Sequence, residues 1–77
     1  MKNETGQGVY RKLLYFFENQ IKVHFKDNNE IFYNGLILDL NENKLTLVLA
    51  ERVRGEIPIL LEFINPDSIS KFEEKEK

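Results

Sequence analysis

The first regular pattern along the chain has a helical period. Apolar residues recur at intervals of three and four between Val9 and Phe17, while charged and amide side chains occupy the remaining positions. This spacing predicts an amphipathic helix of about three turns that ends near Asn19. The preceding residues 1–8 are polar and contain two of the four glycines, so we interpret them as a flexible leader.

From Ile21 onward the hydrophobic period falls to two, which is typical of strands that bury one face. The alternation and the polar turns between the apolar runs predict five strands, over residues 21–26, 30–40, 45–50, 57–64 and 69–72. Because no helical pattern separates these strands, consecutive strands are expected to pair antiparallel. The predicted fold is therefore mainly β, with an N-terminal α-helix followed by a five-stranded, strongly bent antiparallel barrel.

The Asn34-Gly35 pair inside the second predicted strand allows two interpretations. Asn-Gly is a typical hairpin tip, but an internal glycine is also typical of a bend where two backbones approach closely. We favour the bend, because a tip at Gly35 would leave a very short strand and residues 41–44 offer a better turn. Residues 65–68 predict another turn, either an ordinary tight turn or a single 3₁₀ turn.

The predicted elements form one small domain. Residues 9–72 contain the helix and the strands, and residues 73–77 form a charged tail without core residues. Six aliphatic side chains on the strands are expected to form much of the core, namely Leu36, Leu38, Leu45, Leu47, Ile59 and Leu61.

Composition excludes several kinds of chemistry. The chain has no cysteine and one histidine, which excludes disulfides, thiol catalysis and a metal site built from several histidines. His24 has no serine or carboxylate partner at a recognisable spacing, so we expect neither an enzyme nor a cofactor. The net charge of −2 gives no general nucleic-acid footprint. The lack of cysteine, of a signal-peptide pattern and of a long apolar run predicts a cytoplasmic location without membrane contact.

Three stretches of the chain resemble the Sm-like family, which includes the LSm and Hfq-like proteins. They are IKVHFKDNN at 21–29, YNGLILDLNEN at 33–43 and INPDSI at 64–69. In that family a short helix precedes five strands, a glycine bends the second strand, and a single turn links the last two. The resemblance extends over residues 9–72 and implies a small SH3-like (Sm-like) barrel. The Arg54-Gly55 pair departs from the family pattern, because it precedes the predicted fourth strand rather than following it.

The resemblance also implies an RNA-binding ring. Sm-like proteins join strand four of one subunit to strand five of the next, in rings of six or seven, which pairs their open strand edges. The chain is therefore expected to bind copies of itself and single-stranded RNA, with low sequence selectivity. The residues expected to contact RNA lie in polar connections, with Asn41, Asn43, Lys44 and Asn65 at the bases and Arg52 and Arg54 at the phosphates.

Each of these residues also has a structural interpretation that stays open. Asparagine side chains commonly bond their own backbone in turns, and Glu51 and Glu56 flank the two arginines as in a self-paired hairpin. The apolar fourth strand and the acidic charge balance also fit a different class of function, an SH3-like module that binds another protein and no nucleic acid. A closed oligomer with salt-sensitive RNA affinity would distinguish the first function from the second.

Overall fold

The computed structural model describes residues 4–73, which form one helix and one antiparallel sheet. The elements are α1 (Glu4–Glu18), β1 (Val23–Lys26), β2 (Phe32–Asn41), β3 (Thr46–Glu51), β4 (Gly55–Leu60) and β5 (Ser70–Lys71), with 3₁₀ turns at Leu61–Phe63 and Pro66–Ser68. The strand order is β4-β3-β2-β1-β5, so β4 and β5 are the two edges of an open sheet. The predicted mainly β class, with an N-terminal helix and five antiparallel strands, is confirmed.

Helix α1 begins earlier than the hydrophobic pattern indicated. It starts at Glu4, so the prediction of a leader over residues 1–8 is wrong for residues 4–8, and residues 1–3 lie outside the described residues. Gly6 packs directly on Leu45, where an added Cβ would lie 2.7 Å from the Leu45 Cδ1. Glycine weakens an isolated helix, but at position 6 it permits a close contact that holds α1 against the sheet.

The end of α1 agrees with the sequence prediction. Gln20 adopts a positive φ of 55° directly after the helix, and the Ile21 N–H donates to the Phe16 carbonyl at 3.0 Å. This is the six-to-one hydrogen bond of a Schellman motif, which closes a helix and turns the chain away from its axis. The chain then enters β1.

Gly35 lies inside a continuous strand, which confirms the bend interpretation and excludes the hairpin tip. β2 pairs with β1 up to Gly35, opposite Val23, and with β3 from Leu36 onward, opposite Ala50. A Cβ at position 35 would lie 2.1 Å from the Ala50 carbonyl oxygen, a distance that no side chain tolerates. Glycine is required here because β2 changes partner at this point and the β3 backbone passes directly over it.

The core lies between α1 and one face of the sheet, and its membership corrects part of the sequence prediction. Leu47, Ile59 and Leu61 are buried as predicted, and Leu36 and Leu45 are partly buried. Leu38 is 45% exposed, so its assignment to the core is wrong. The inward residue of this strand is Ile37, and the pairing register shifts between Ile37 and Asp39, as at a β-bulge.

The segment after β4 also differs from its prediction. The expected strand over residues 57–64 ends at Leu60, and a 3₁₀ turn at Leu61–Phe63 follows. Leu61 is fully buried and Ile64 almost so, because this turn carries both side chains beneath the helix-covered face. The 3₁₀ form of the next turn is confirmed at Pro66–Ser68.

Candidate nucleic-acid interface

The residues predicted to contact RNA occupy three separate places. Asn41, Asn43 and Lys44 lie at the β2–β3 turn, whereas Arg52 and Arg54 lie at the β3–β4 turn. The two turns are at opposite ends of β3, whose six residues span roughly 20 Å. Asn65 lies in the connection to β5, where its backbone N–H donates to the Lys26 carbonyl. The fold therefore does not gather these residues into one site.

Two of the predicted asparagines cap their own turns. The Asn41 Oδ1 accepts a hydrogen bond from the Lys44 backbone N–H at 2.9 Å, and the Asn65 Oδ1 accepts from the Asp67 backbone N–H at 3.0 Å. Their acceptor atoms are committed to the local backbone, as the structural interpretation of these residues expects. Asn43 and Lys44 are exposed at the tip of the turn.

Arg54 is held by three groups of the protein. Its Nε lies 2.6 Å from the Glu51 Oε1, its Nη2 donates to the Phe32 carbonyl at 2.7 Å, and its guanidinium lies 4.7 Å from the centre of the Tyr33 ring. The self-paired interpretation of the hairpin is therefore confirmed for Arg54 and Glu51. These contacts tie the β3–β4 turn to the start of β2.

The outer face of β1 carries a row of stacked rings. The His24 ring stacks on Phe32, with centroids 5.4 Å apart and an angle of 12° between the planes. On its other side it stacks on Phe72, at 6.3 Å and 26°. Phe32 is 55% exposed. We call these three residues the aromatic row.

Basic side chains accompany the aromatic row because β1 alternates strictly. Val23 and Phe25 are fully buried, which places Lys22, His24 and Lys26 on the opposite face. The Lys26 Nζ lies 5.9 Å from the centre of the Phe32 ring and 3.2 Å from the Glu30 Oε1. Because the Glu30 side chain is 77% exposed, this ion pair is weak and a phosphate group can replace the carboxylate.

The imidazole of His24 is held by its ring contacts. Its Nδ1 is buried and has no hydrogen-bond partner among the residues that the structure describes. Leaving such an atom unpaired costs about 1–3 kcal/mol. The position of the ring is therefore determined by its stacking contacts with Phe32 and Phe72.

An open cleft of about 750 Å³ adjoins one end of the aromatic row. Phe72 lines the cleft as well as ending the row. The other lining residues come from the start of β1, the centre of β2, the end of β3 and the chain after β5: Lys22, Asn34, Gly35, Leu36, Ala50, Glu51, Arg52 and Glu73. Arg52, one of the predicted phosphate contacts, thus lies beside the row rather than with the loop asparagines.

A buried carboxylate supports the hairpin that carries Phe32. Asp27 is 9% exposed and accepts hydrogen bonds from the backbone N–H groups of Ile31 and Asn29 and from the Tyr33 hydroxyl. The Ile31 N–H, with help from the other two donors, holds the pKa of Asp27 below its ordinary value of 3.8. Burial, with the hydrogen bond to Asp27, raises the pKa of Tyr33 above 10.0. This network determines the register in which Phe32 lies opposite Lys26.

The aromatic row was missed at the sequence level, although one signal for it was present. The alternation correctly placed His24 on the outer face between two lysines. What was missing was the register of the β1–β2 hairpin, which puts Phe32 opposite Lys26, and the pairing of β5, which brings Phe72 beside Lys22. Counting outward from the turn at residues 27–30 would have found the first of these pairs.

Comparison with known proteins adds no assignment: no family model, no curated protein and no solved structure matches this chain. Within the described residues, no group of three or more His, Cys, Asp or Glu side chains has the arrangement of a metal site. The helix in the same part of the chain is neither long enough nor apolar enough to span a bilayer.

Proposed function

We propose that the protein binds single-stranded RNA on the aromatic row with low sequence selectivity. The observation that supports this function is the combination of stacked rings with lysines on one exposed face of the sheet. Unpaired bases stack on such rings whatever their identity, and each stacked base contributes about 1–3 kcal/mol. The lysines Lys22 and Lys26 would attract the phosphates between the bases.

The charge of the protein makes this binding local rather than general. With a net charge of −2, the whole molecule does not attract a polyanion. On the proposed face, however, the Glu51 carboxylate is paired with Arg54, and the Glu30 carboxylate is exposed and exchangeable. Affinity should therefore be moderate and should fall as salt is raised.

We propose further that the open sheet is the sheet of an Sm-like, SH3-like barrel. The strand order β4-β3-β2-β1-β5, the glycine at the centre of β2 and the 3₁₀ turn between β4 and β5 support this assignment. A single bridge between Asp27 and Ile64 brings the two ends of the strand array toward each other. In this proposal the β4 edge of one subunit pairs with the β5 edge of the next, in a ring of six or seven.

The edges offer few hydrogen bonds for that ring. The Leu61 N–H donates to the Leu45 carbonyl, and the alternation of an antiparallel ladder then directs the backbone groups of Glu56, Pro58 and Leu60 outward. Pro58 has no N–H to donate, so it removes the central donor of the β4 edge. Side-chain contacts must therefore supply most of the free energy of any assembly through β4.

Exchange of one exposed phenylalanine tests RNA binding. The variant Phe32→Ala removes the most exposed ring of the row, and we expect its affinity for a fluorescein-labelled 12-nucleotide RNA to fall roughly tenfold, since a lost stack costs about 1–3 kcal/mol. Fluorescence anisotropy measures the affinity. The matched control is Phe63→Ala, because Phe63 is also about half exposed and lies outside the row. Equal affinity for Phe32→Ala and the unchanged protein would contradict the proposal.

A second function, as a module that binds another protein, is favoured by one specific observation. Leu38 and Leu60 are 45% and 43% exposed on the outer face, and Val48 and Pro58 lie opposite each other beside them. We call these four residues the aliphatic patch. Exposed apolar side chains next to an open strand edge are typical of sites that receive a protein partner. Failure to bind RNA, with the patch intact, would favour this second function.

A further inference from the structure

The cleft at the end of the aromatic row has the composition of a base-binding site. One face of Phe72 stacks on His24, and Phe72 also lines the cleft, so a flat ring placed in the cleft would continue the stack. Leu36 and Ala50, which are paired across β2 and β3, supply apolar lining. Gly35 adds backbone without a side chain. A volume of about 750 Å³ falls in the range of small-ligand sites.

The polar side chains of the cleft are two cations, Lys22 and Arg52, and three groups with acceptor oxygens, Asn34, Glu51 and Glu73. The Asn34 main chain is fixed because its N–H donates to the Glu51 Oε2 at 3.1 Å, while its side-chain amide makes no hydrogen bond with another described residue. The Glu73 side chain is exposed at the rim. The Glu51 carboxylate is occupied by Arg54 and by the Asn34 backbone. Among the acceptors, the Asn34 amide and the Glu73 carboxylate therefore remain to recognise donors on the edge of a ligand.

We propose that this cleft binds one nucleobase with an exocyclic amino group, adenine in preference to cytosine, within an RNA strand that lies along the aromatic row. An exocyclic amino group donates to the oxygens of Asn34 and Glu73, whereas uracil has no amino group and presents carbonyl oxygens that a carboxylate repels. Asparagine also pairs with adenine through two hydrogen bonds, and the larger purine ring stacks better on Phe72. The adjoining phosphate would lie near Arg52.

This inference rests on the proposed function and refines it. The row binds bases of any kind, and the cleft adds discrimination at one position of the strand. The two parts use different residues, Phe32 in the row and Asn34 in the cleft. Variants at these two positions therefore distinguish a failure of RNA binding on the row from a failure of base discrimination in the cleft.

The test compares labelled octamers of adenosine, cytidine and uridine by fluorescence anisotropy. We expect the adenosine octamer to bind about tenfold more tightly than the uridine octamer, since a two-bond base contact is worth about 1–3 kcal/mol. Asn34→Ala should reduce this ratio to about two or less, mainly through a loss of affinity for the adenosine octamer. Asn29→Ala, an exposed asparagine of the β1–β2 turn, is the matched control and should keep the ratio.

A second variant protects the test against misfolding at position 34. Glu73 lies after the last strand, so its exchange does not disturb strand pairing. Glu73→Gln should also lower the ratio of adenosine to uridine affinity, by roughly threefold. Equal affinity for all three octamers, or a preference for uridine, would overturn the inference while leaving RNA binding in place. Loss of binding to every octamer would overturn the proposed function as well.

A competition experiment distinguishes a base within a strand from a free nucleotide. Adenosine monophosphate contains the same base and phosphate but cannot occupy the row. We expect it to displace the adenosine octamer only at concentrations at least about a hundredfold above the dissociation constant of the octamer, because several stacked bases contribute to the octamer. Displacement at equal concentration would overturn the placement of the base within a strand.

Discussion

The outer face of the sheet has two halves that meet at Gly35 and differ in what they expose. The half formed by β5, β1 and the start of β2 presents the aromatic row with lysines. The half formed by the end of β2, β3 and β4 presents the aliphatic patch. Both halves cover the same core, so their outer side chains are not needed to complete it.

The difference between the halves indicates which of them is chemically suited to a polar ligand. Flat rings and ammonium groups suit a strand of bases and phosphates, whereas branched aliphatic side chains suit the apolar surface of a protein. In the function that we propose, one half binds RNA and the other serves assembly.

The largest effect is expected at the junction between the halves. Gly35→Ala would place a Cβ 2.1 Å from the Ala50 carbonyl oxygen, so β2 and β3 must separate. We expect a loss of about 3 kcal/mol or more in the free energy of unfolding, measured by urea denaturation. Gly8→Ala is the matched control, because its Cβ meets nothing within 4 Å and the helix should gain about 0.5–1 kcal/mol. A stable Gly35→Ala variant would show that the two strands do not meet this closely.

A smaller effect is expected where Asp27 supports the aromatic half. Asp27→Asn replaces a carboxylate that accepts three hydrogen bonds, and we expect a fall in Tm at pH 7 on the order of 10 °C. Because the pKa of Asp27 is lowered in the folded protein, its stabilisation is complete above its ordinary value of 3.8 and is lost as pH falls through the folded value.

The pH dependence provides the control for this variant. Thermal melts between pH 2 and 7 should show a difference between Asp27→Asn and the unchanged protein that narrows below about pH 4. Asp39→Asn, at an exposed position of β2, should follow the unchanged protein at every pH. A difference that stays constant into acid would mean that the charge of Asp27 contributes nothing.

The smallest effect on stability, and the sharpest on assembly, is expected in the aliphatic half. The double variant Leu38→Ser with Leu60→Ser changes two exposed side chains, so its Tm should stay within a few degrees of the original. Native mass spectrometry should give a six- or sevenfold mass for the unchanged protein and a monomer mass for the variant. The reason is that Pro58 has no N–H to donate at the β4 edge, so exposed side chains must hold the ring together. A monomer mass for the unchanged protein would contradict the ring and favour a separate protein partner.

Much of the fold was predictable because it depends on local periodicity. Alternation identified five strands, and the glycine in β2 was correctly interpreted as internal to a strand. The error at Leu38 arose because Leu36, Ile37 and Leu38 are all apolar, so the local pattern does not show which face is inward. Ile37 is buried, and Leu38 next to it therefore faces outward. The early start of α1 was missed because Gly6 is justified only by its contact with Leu45, which is distant in sequence.

The candidate site was predictable only in part. The alternation placed His24 outward, and Arg52, a predicted phosphate contact, lines the cleft. The sequence pattern also pointed to the polar loops, because asparagines that stabilise turns cannot be distinguished by sequence from asparagines that contact bases. Asn41 and Asn65 instead bond their own backbone, whereas Asn43 and Lys44 remain predicted contacts at a separate place. Whether they bind RNA can be read from the same anisotropy assay that tests the row.

The sequence by itself determined the fold class of the protein. A hydrophobic period of 3.6 residues buries one apolar face only in a helix, and a period of two residues does so only in a strand. The sequence also determined that no thiol chemistry is possible. Only the tertiary structure decided which surface is chemically distinctive. Phe72 lies far from His24 and Phe32 along the chain. The three rings form a row because hydrogen bonds in two strand pairs, and the turn held by Asp27, bring them into contact.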